Sequence, residues 1–460
     1  MTDQRLNRRE FVLGAAGAGL LASAPVFGKA GGGRNRVGLV GTGIRGTKYW
    51  GKYLLENYAD VVEYAGLCDI KPGRLDFAAG VIGTDCPRYT DFDRMLNEAD
   101  LDTLIVTTVD STHHEFLVKG LQHGLTVITE KPMTTDEIRC QAIIDAEKNS
   151  SGRLLVGLNY RYGDIFSRLK EILLAEEVGR LTSVNFHWYL NTYHGASYFR
   201  RWHGLRDKGG TLLLHKAAHH FDLLNWLIDS EPVEVHAYGG LEKYGSNNKF
   251  RGSRCMECPH SGSCDFFWDM KKDDFLMKLY HANESYDGYI RDNCLWRHEI
   301  DIFDKMAVQI RYANNVQVSY SLTTYSPYEG FRIAFNGMNG RVESWEGVPS
   351  LDAAQVDQAK LHEKEMDQSS HTQQDRQYHE IIKQLNFREF EREKLPYVRS
   401  GHWGADQRMM DFMFRGQDAR PELNRSADLR DGVMSVLVGI AARKSIDEGR
   451  PVRISELVTL

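Results

Sequence analysis

The chain has 460 residues, 42% apolar and 11% aromatic, enough for two or three domains with ample cores and too apolar for global disorder. Its 42 glycines and 11 prolines follow no period, which excludes a collagen-like or repeat architecture. The 57 basic and 63 acidic residues leave a net charge of −6, no footing for nucleic-acid binding. Seven cysteines in such a length make no disulfide scaffold, although four of them cluster.

Residues 1–30 read as an export leader. Arg8-Arg9 stand directly before an Ala/Gly-rich apolar run that ends near Phe27. That run is shorter and less apolar than the roughly 20 residues of a stable membrane span, so none is expected. The arginine pair predicts the twin-arginine route and a periplasmic or otherwise exported protein. Ala22-Ser23-Ala24 and Gly28-Lys29-Ala30 are the two candidate cleavage sites. The route carries folded proteins, which suits a tightly held cofactor.

A first domain is expected over 34–158. The apolar strand 36–40 runs into Gly41-Thr42-Gly43-Ile44-Arg45-Gly46, followed by a helical pattern. This is G-x-G-x-x-G in a strand–turn–helix setting. Gly41 permits the tight turn, Gly43 lets a pyrophosphate approach, and Gly46 allows close helix–strand packing, with Ile44 and Arg45 at the positive helix start. The next strand, 61–68, ends in Asp69, 23 residues past Gly46. A carboxylate there accepts from ribose hydroxyls and repels a 2′-phosphate, so NAD is expected over NADP. Strands at 104–108, 125–129 and 154–158 alternate with helices at 116–124 and after Thr134-Thr135-Asp136-Glu137, which reads as a capping box. Such βα units imply a doubly wound parallel sheet, the Rossmann arrangement.

The glycine motif, Asp69 and Glu130-Lys131-Pro132 about 85 residues beyond the glycines together resemble the glucose-fructose oxidoreductase / inositol dehydrogenase (Gfo/Idh/MocA) family. The resemblance covers nearly all of the chain past the leader. It implies that Glu130 and Lys131 lie beside the nicotinamide, with Lys131 on the substrate hydroxyl. The family usually carries Pro-Asn-x-x-His after its fourth strand. Here Val109-Asp110-Ser111-Thr112-His113 keeps His113 and departs at Asp110; both are counted as cofactor contacts.

A second, α+β domain is expected over 159–425. Strands at 181–189, 233–238, 307–312, 316–322, 331–335 and 340–343 favour an open, largely antiparallel sheet with helices on one face. By resemblance, the other face meets a second subunit in a homo-oligomer. Residues 363–376 are polar and read as a solvated loop. A final helix at 427–446, within a 426–460 tail, would return to the first domain.

Between the first two of those strands lies Gly209-Gly210-Thr211-Leu212-Leu213-Leu214-His215-Lys216-Ala217-Ala218-His219-His220-Phe221-Asp222. The resemblance aligns it without gaps. His219 falls on the family's catalytic histidine and Asp222 on its final aspartate, while His215 replaces the usual catalytic aspartate. An imidazole titrates near working pH and suits removal of a hydroxyl proton, so Lys131, His219 and His215 are the catalytic candidates. His215 and His219, four apart, would share a helix face. A metal pair or packed histidines remain the other readings. Arg201, His203, Lys216, Asp222 and His402 are the candidate contacts to a small carbohydrate.

Cys255-x-x-Cys258, Cys264 and Cys294 form the cysteine cluster, within an insertion at 251–295. Four thiolates suit one structural zinc; two disulfides, an iron–sulfur cluster or free thiols are the alternatives. The function expected is an exported NAD-dependent oxidoreductase acting on a ring hydroxyl of a sugar, glycoside or cyclitol. A redox-assisted glycosidase and a non-catalytic carbohydrate-binding protein are the competing readings.

Overall fold

The structure is a computed structural model that describes residues 33–347, 378–398 and 401–460. The leader and the polar stretch 363–376 lie outside the described residues. The first domain contains β1 (Asn35–Val40), α1 (Arg45–Tyr53, continued by Leu54–Tyr58), β2 (Val62–Cys68), α2 (Pro72–Ile82), β3 (Arg88–Tyr89), α3 (Phe92–Glu98), β4 (Thr103–Val106), α4 (His113–Gln122), β5 (Thr126–Thr129), α5 (Glu137–Lys148) and β6 (Arg153–Val156). Its six strands run parallel in the order β3-β2-β1-β4-β5-β6. Strands buried on both faces need continuous apolar runs. Leu104, Ile105, Val106, Val127 and Ile128 supply them and are fully buried. The order reverses between β1 and β4, where a doubly wound sheet opens a crevice at its carboxyl edge. α5 starts one way and not the other: Asp136 is itself the cap, accepting from Arg139 N at 2.9 Å, in place of the box expected from Thr134.

The second domain follows with α6 (Asp164–Leu174), β7 (Leu181–Asn191), α7 (Thr192–Arg200), α8 (Leu212–His215), α9 (Ala218–Ile228) and β8 (Pro232–Gly240). The insertion, with its short α10 (Asp274–Leu279), intervenes before β9 (Lys305–Tyr312), β10 (Gln317–Ser326), β11 (Gly330–Gly337), β12 (Gly340–Glu346), β13 (Tyr378–Leu385) and β14 (Phe390–Pro396). The chain ends with α11 (Ala405–Arg415), α12 (Leu429–Glu448) and β15 (Val452–Arg453). These strands make one sheet in the order β14-β13-β12-β11-β7-β10-β9-β8-β15. β7 and β10 pair in parallel and the other neighbours are antiparallel. β9 alternates buried and exposed residues throughout, so one face is core and the other open. Three of these strands, β13, β14 and the two-residue β15, are absent from the sequence reading.

α12 joins the two domains. Its N-terminal capping box, Asp428 with Asp431, sits where Asp428 bridges Leu155 of β6, and Val156 N donates to Ala427 O at 3.0 Å. The return of the last helix to the first domain is therefore built on main-chain bonds. Among the described residues no helix is long and apolar enough to cross a membrane.

Candidate active site

A cavity of about 1210 Å3 opens where the carboxyl edge of the first sheet faces α7, α8 and α9. Its floor is the glycine turn. Gly41 has φ +89°, and a side chain there would strike the Thr107 carbonyl. A Cβ on Gly46 would collide with the Gly41 carbonyl oxygen, so helix and strand touch only because both residues are glycine. Gly43, by contrast, faces open space, its nearest neighbour being the Tyr280 hydroxyl at 3.4 Å. The Ile44 N–H donates to that hydroxyl at 2.9 Å. An oxygen acceptor thus sits on the first free amide of α1, the position at which helix geometry favours a phosphate oxygen. The residues present fit a dinucleotide pyrophosphate.

Asp69 stands at the end of β2 as expected, but it is fully engaged. It accepts from Thr42 N (2.8 Å), Thr42 Oγ1 (3.0 Å), Lys71 N (3.1 Å), Arg74 Nε (2.9 Å) and Arg74 Nη2 (2.5 Å). A carboxylate has about four lone-pair sites, so ribose hydroxyls must displace some of these donors. The sequence reading missed Arg74, whose charge offsets the repulsion assigned to Asp69.

Glu130 and Lys131 diverge in role. The buried Glu130 accepts from Arg45 Nε (2.5 Å) and Trp50 Nε1 (2.7 Å), which ties the start of α1 to β5. Burial pushes its carboxyl up, but Arg45 outweighs this and holds it below the ordinary range. Lys131 points into the cavity and donates to the His215 carbonyl at 2.9 Å. Burial lowers its pKa against the pull of Asp110 and Glu130. His113 faces two carbonyls, Pro132 O at 2.9 Å and Thr108 O at 3.2 Å, so it latches the Lys131 loop to the β4 loop.

The histidine segment departs from its expected form. Helix breaks at Lys216–Ala217, between α8 and α9, so His215 and His219 do not share one regular helix face. Both still line the cavity. His219 lies flat on Tyr160, ring centroids 4.3 Å apart, and its Nδ1 has no partner among the described residues. Burial, then the charges of Lys131 and Lys216, hold its pKa well below the ordinary value, so it is a neutral base at working pH. His215 Nδ1 lies 2.6 Å from Asp110 Oδ2. The carboxylate that the family places at position 215 is here supplied from across the domain junction, by the residue that departs from the family asparagine. His203 packs edge-on to His215 at 4.1 Å, and Trp202 stacks on His203 at 3.6 Å.

Of the other candidates, Arg201, Lys216 and His402 line the cavity. Lys216 Nζ donates to Tyr160 OH at 3.3 Å, and His402 Nδ1 is 2.8 Å from Asp406 Oδ2. Asp222 does not reach the cavity. It is buried in a pair with Arg161, Nε to Oδ2 2.9 Å, and Arg161 also holds Asp431 at 2.8 Å. Arg161 claims the Asp222 carboxylate in the core, so its placement is that of a core ion pair and not of a substrate contact.

The four clustered cysteines line one small cavity of about 20 Å3, and all are free thiols. Among the described residues no group of three or more His, Cys, Asp or Glu side chains is gathered closely enough to hold a metal ion, which applies to the histidine pair as well. The cation beside a thiol is Arg200, whose Nη1 is 2.8 Å from Cys255 Sγ. The insertion sends Tyr280, Tyr289 and Arg291 into the cavity, a role that no motif within it signals.

Two family models match the chain, the oxidoreductase family NAD-binding Rossmann fold over residues 35–158 and the oxidoreductase family C-terminal alpha/beta domain over 170–454. The chain belongs to the Gfo/Idh/MocA oxidoreductase family. The YteT protein of Bacillus subtilis, whose name specifies only an oxidoreductase, is 32% identical over 88% of this chain and 94% of its own length. Inositol 2-dehydrogenase of Salmonella typhimurium is 26% identical over 44% of this chain and 57% of that enzyme. A levoglucosan dehydrogenase solved with NADH and levoglucosan shares the fold, with TM-score 0.63 at 15% identity over 92% of this chain and 100% of that one. As a Gfo/Idh/MocA protein the chain is an NAD(P)-dependent oxidoreductase.

Proposed function

We propose that this protein is an NAD-dependent dehydrogenase for a ring hydroxyl of a sugar, glycoside or cyclitol. The observation that carries the reading is the meeting of the glycine turn, Lys131, His219 and the Asp110–His215 pair on one cavity. NAD, when bound, supplies the hydride acceptor. His219, neutral and open at Nδ1, takes the hydroxyl proton, and the Lys131 ammonium stabilises the oxygen as it becomes negative. Tyr160 holds the His219 ring in plane. The test is incubation with a panel of sugars, cyclitols and aryl glycosides, following NADH absorbance and aglycone release together. NADH without aglycone is expected; aglycone without net NADH would make the protein a redox-assisted glycosidase. Binding without either would leave a carbohydrate-binding protein.

NAD is the preferred form in this reading, with Asp69 facing the adenosine ribose and Arg74 as its counter-influence. Asp69→Ser removes the carboxylate and frees Arg74, so preference should swing toward NADP by about ten- to hundredfold, the worth of a charge-assisted bond. Fluorescence titration of both cofactors measures it. Tighter NADP binding by the unchanged protein would show that Arg74 dominates.

Three further parts of the reading rest on sequence and surface. Arg8-Arg9 and the apolar run after them support export by the twin-arginine route. A second copy of the chain suits the open sheet face, where Tyr238, Ala307, Ser321, His187, Arg332 and Trp345 form one cross-strand row. Tyr238 is 73% exposed and Trp345 47%, large apolar surface for an unpaired sheet. Zinc is the proposed occupant of the cysteine cluster, supported by four sulfurs around one cavity and by the Trp296 N–H directed at Cys294 Sγ at 3.4 Å. Binding would have to draw the sulfurs inward, and metal and folding would then be coupled. Elemental analysis of cytoplasmically folded protein should find about one zinc per chain, lost with stability in Cys258→Ser. Metal-free protein of unchanged stability would rule zinc out.

A further inference from the structure

We infer that the sugar oxidised here carries a negative charge, most simply a carboxylate, which makes a uronic acid or its glycoside the substrate class. The inference rests on the dehydrogenase reading and narrows it. Its basis is the pair Arg201 and Arg291 in the wall that the insertion and the end of α7 build opposite Lys131. Arg291 is only 5% exposed, yet its Nε has no partner among the described residues. Its guanidinium lies over the Tyr280 ring at 4.4 Å. Arg201 spends its donors on its own helix, Nε to Ser197 O at 2.8 Å and Nη2 to Ser197 Oγ at 3.3 Å, and lies over Tyr198 at 5.1 Å. Neither has a carboxylate partner among the described residues.

That is unusual within this same wall. Arg254 is held by both Glu284 (2.8 Å) and Asp292 (2.5 Å), and Lys71 by Asp287 at 2.5 Å. Arg297 is satisfied by carbonyls, among them Phe199 O at 2.7 Å and Arg201 O at 3.2 Å, and so braces the segment that carries Arg201. The local carboxylates are thus spent, Asp110 on His215, and Glu299 is exposed at the rim. Two guanidiniums without a carboxylate between them repel: burial and the Arg291 charge both lower the Arg201 pKa. Burying a cation without a partner costs several kcal/mol unless a ligand supplies the anion. Planar guanidiniums match a carboxylate better than a neutral hydroxyl does.

Arg201 sits with the reacting groups. Its charge acts on Asp110 and on His203, and Tyr198 beneath it packs edge-on to His215 at 5.4 Å. Arg291 lies over the ring of Tyr280, whose hydroxyl accepts from Ile44 N at the glycine turn. The same anion chemistry could come from the cofactor pyrophosphate, and the experiment separates the two sources.

The NAD-loaded full-length protein is titrated calorimetrically with D-galacturonate, its methyl ester and D-galactose, and with D-glucuronate, its methyl ester and D-glucose. NADH formation is followed in parallel, and NAD affinity is measured separately. The acids should bind about ten- to hundredfold tighter than the esters. Arg201→Gln and Arg291→Gln should each erase that margin and leave NAD affinity within about twofold, with Arg291→Lys keeping part of it. Two sites guard against a variant that fails to fold. Turnover of neutral sugars with no preference for acids overturns the inference and leaves the dehydrogenase intact. Acid-selective binding with no turnover of any sugar keeps the carboxylate as the ligand group of the two arginines but removes the dehydrogenase, and with it the acid as the sugar oxidised. Arginine variants that lose NAD affinity and keep the acid margin assign the pair to the pyrophosphate and overturn it, as does failure of every acid to bind.

Discussion

His219→Ala is expected to lower turnover by about a hundredfold or more while NAD affinity stays nearly unchanged, since a positioned general base contributes roughly 10²–10⁴. Three features of the site require this. The ring is held in plane by Tyr160 at 4.3 Å, and Tyr160 is in turn fixed by Lys216. Burial with Lys131 and Lys216 nearby keeps the imidazole neutral, so it is ready to accept a proton without first losing one. Its Nδ1 is unclaimed among the described residues, whereas His215 Nδ1 is already committed to Asp110. Single-turnover NADH formation on the true substrate is the measurement. Near-normal turnover in His219→Ala, together with a dead His215→Ala, would move the base to the Asp110–His215 pair.

The parts of this fold that were legible are those in which local chemistry and global position agree. The short β-branched-rich apolar run 104–106 between turn signals reads as a strand covered on both faces, and Gly41 and Gly46 stand where a side chain has no room. β14 was not legible because it is the edge strand of the sheet, and β13, next to it, is only partly buried. Phe390–Pro396 is exposed along most of its length, and its charges guard an edge without leaving an apolar alternation to read. The break at Lys216–Ala217 was missed because nothing in an apolar, alanine-containing run marks a helix end.

In the site, motif residues were legible one at a time and their pairings were not. Asp110 and His215 each looked like a loss against the family pattern. Separated by 105 residues, they meet across the domain junction at 2.6 Å, and the two departures are one exchange. Tyr280 on Ile44 N is 236 residues distant in sequence and belongs to an insertion with no recognisable motif. Contacts of that separation are set by the packing of whole elements, which no local pattern encodes.

That exchange yields the second large effect. Asp110→Asn restores the residue that the family usually carries, yet here it should lower kcat by about ten- to hundredfold, within the range of coupled neighbours. The amide leaves His215 without its carboxylate, so the ring loses the bond that fixes its orientation beside the Lys131 contact. The pH profile should move as well. Burial pushes the Asp110 carboxyl well up while Lys131 pulls it back down, and Asp110 in its ionised form raises the Lys131 pKa, which burial has already lowered. Without Asp110 the ammonium gives up its proton at lower pH, so the alkaline limb of kcat should shift to lower pH. A merely structural loss would lower kcat without moving that limb. The double variant Asp110→Asn/His215→Asp returns the carboxylate from the other side of the junction and should recover much of the turnover that either single change loses. Additive losses in that double variant, or an unchanged alkaline limb in Asp110→Asn, would show that the two residues only pack together and that the charge at position 110 plays no part in holding Lys131 protonated.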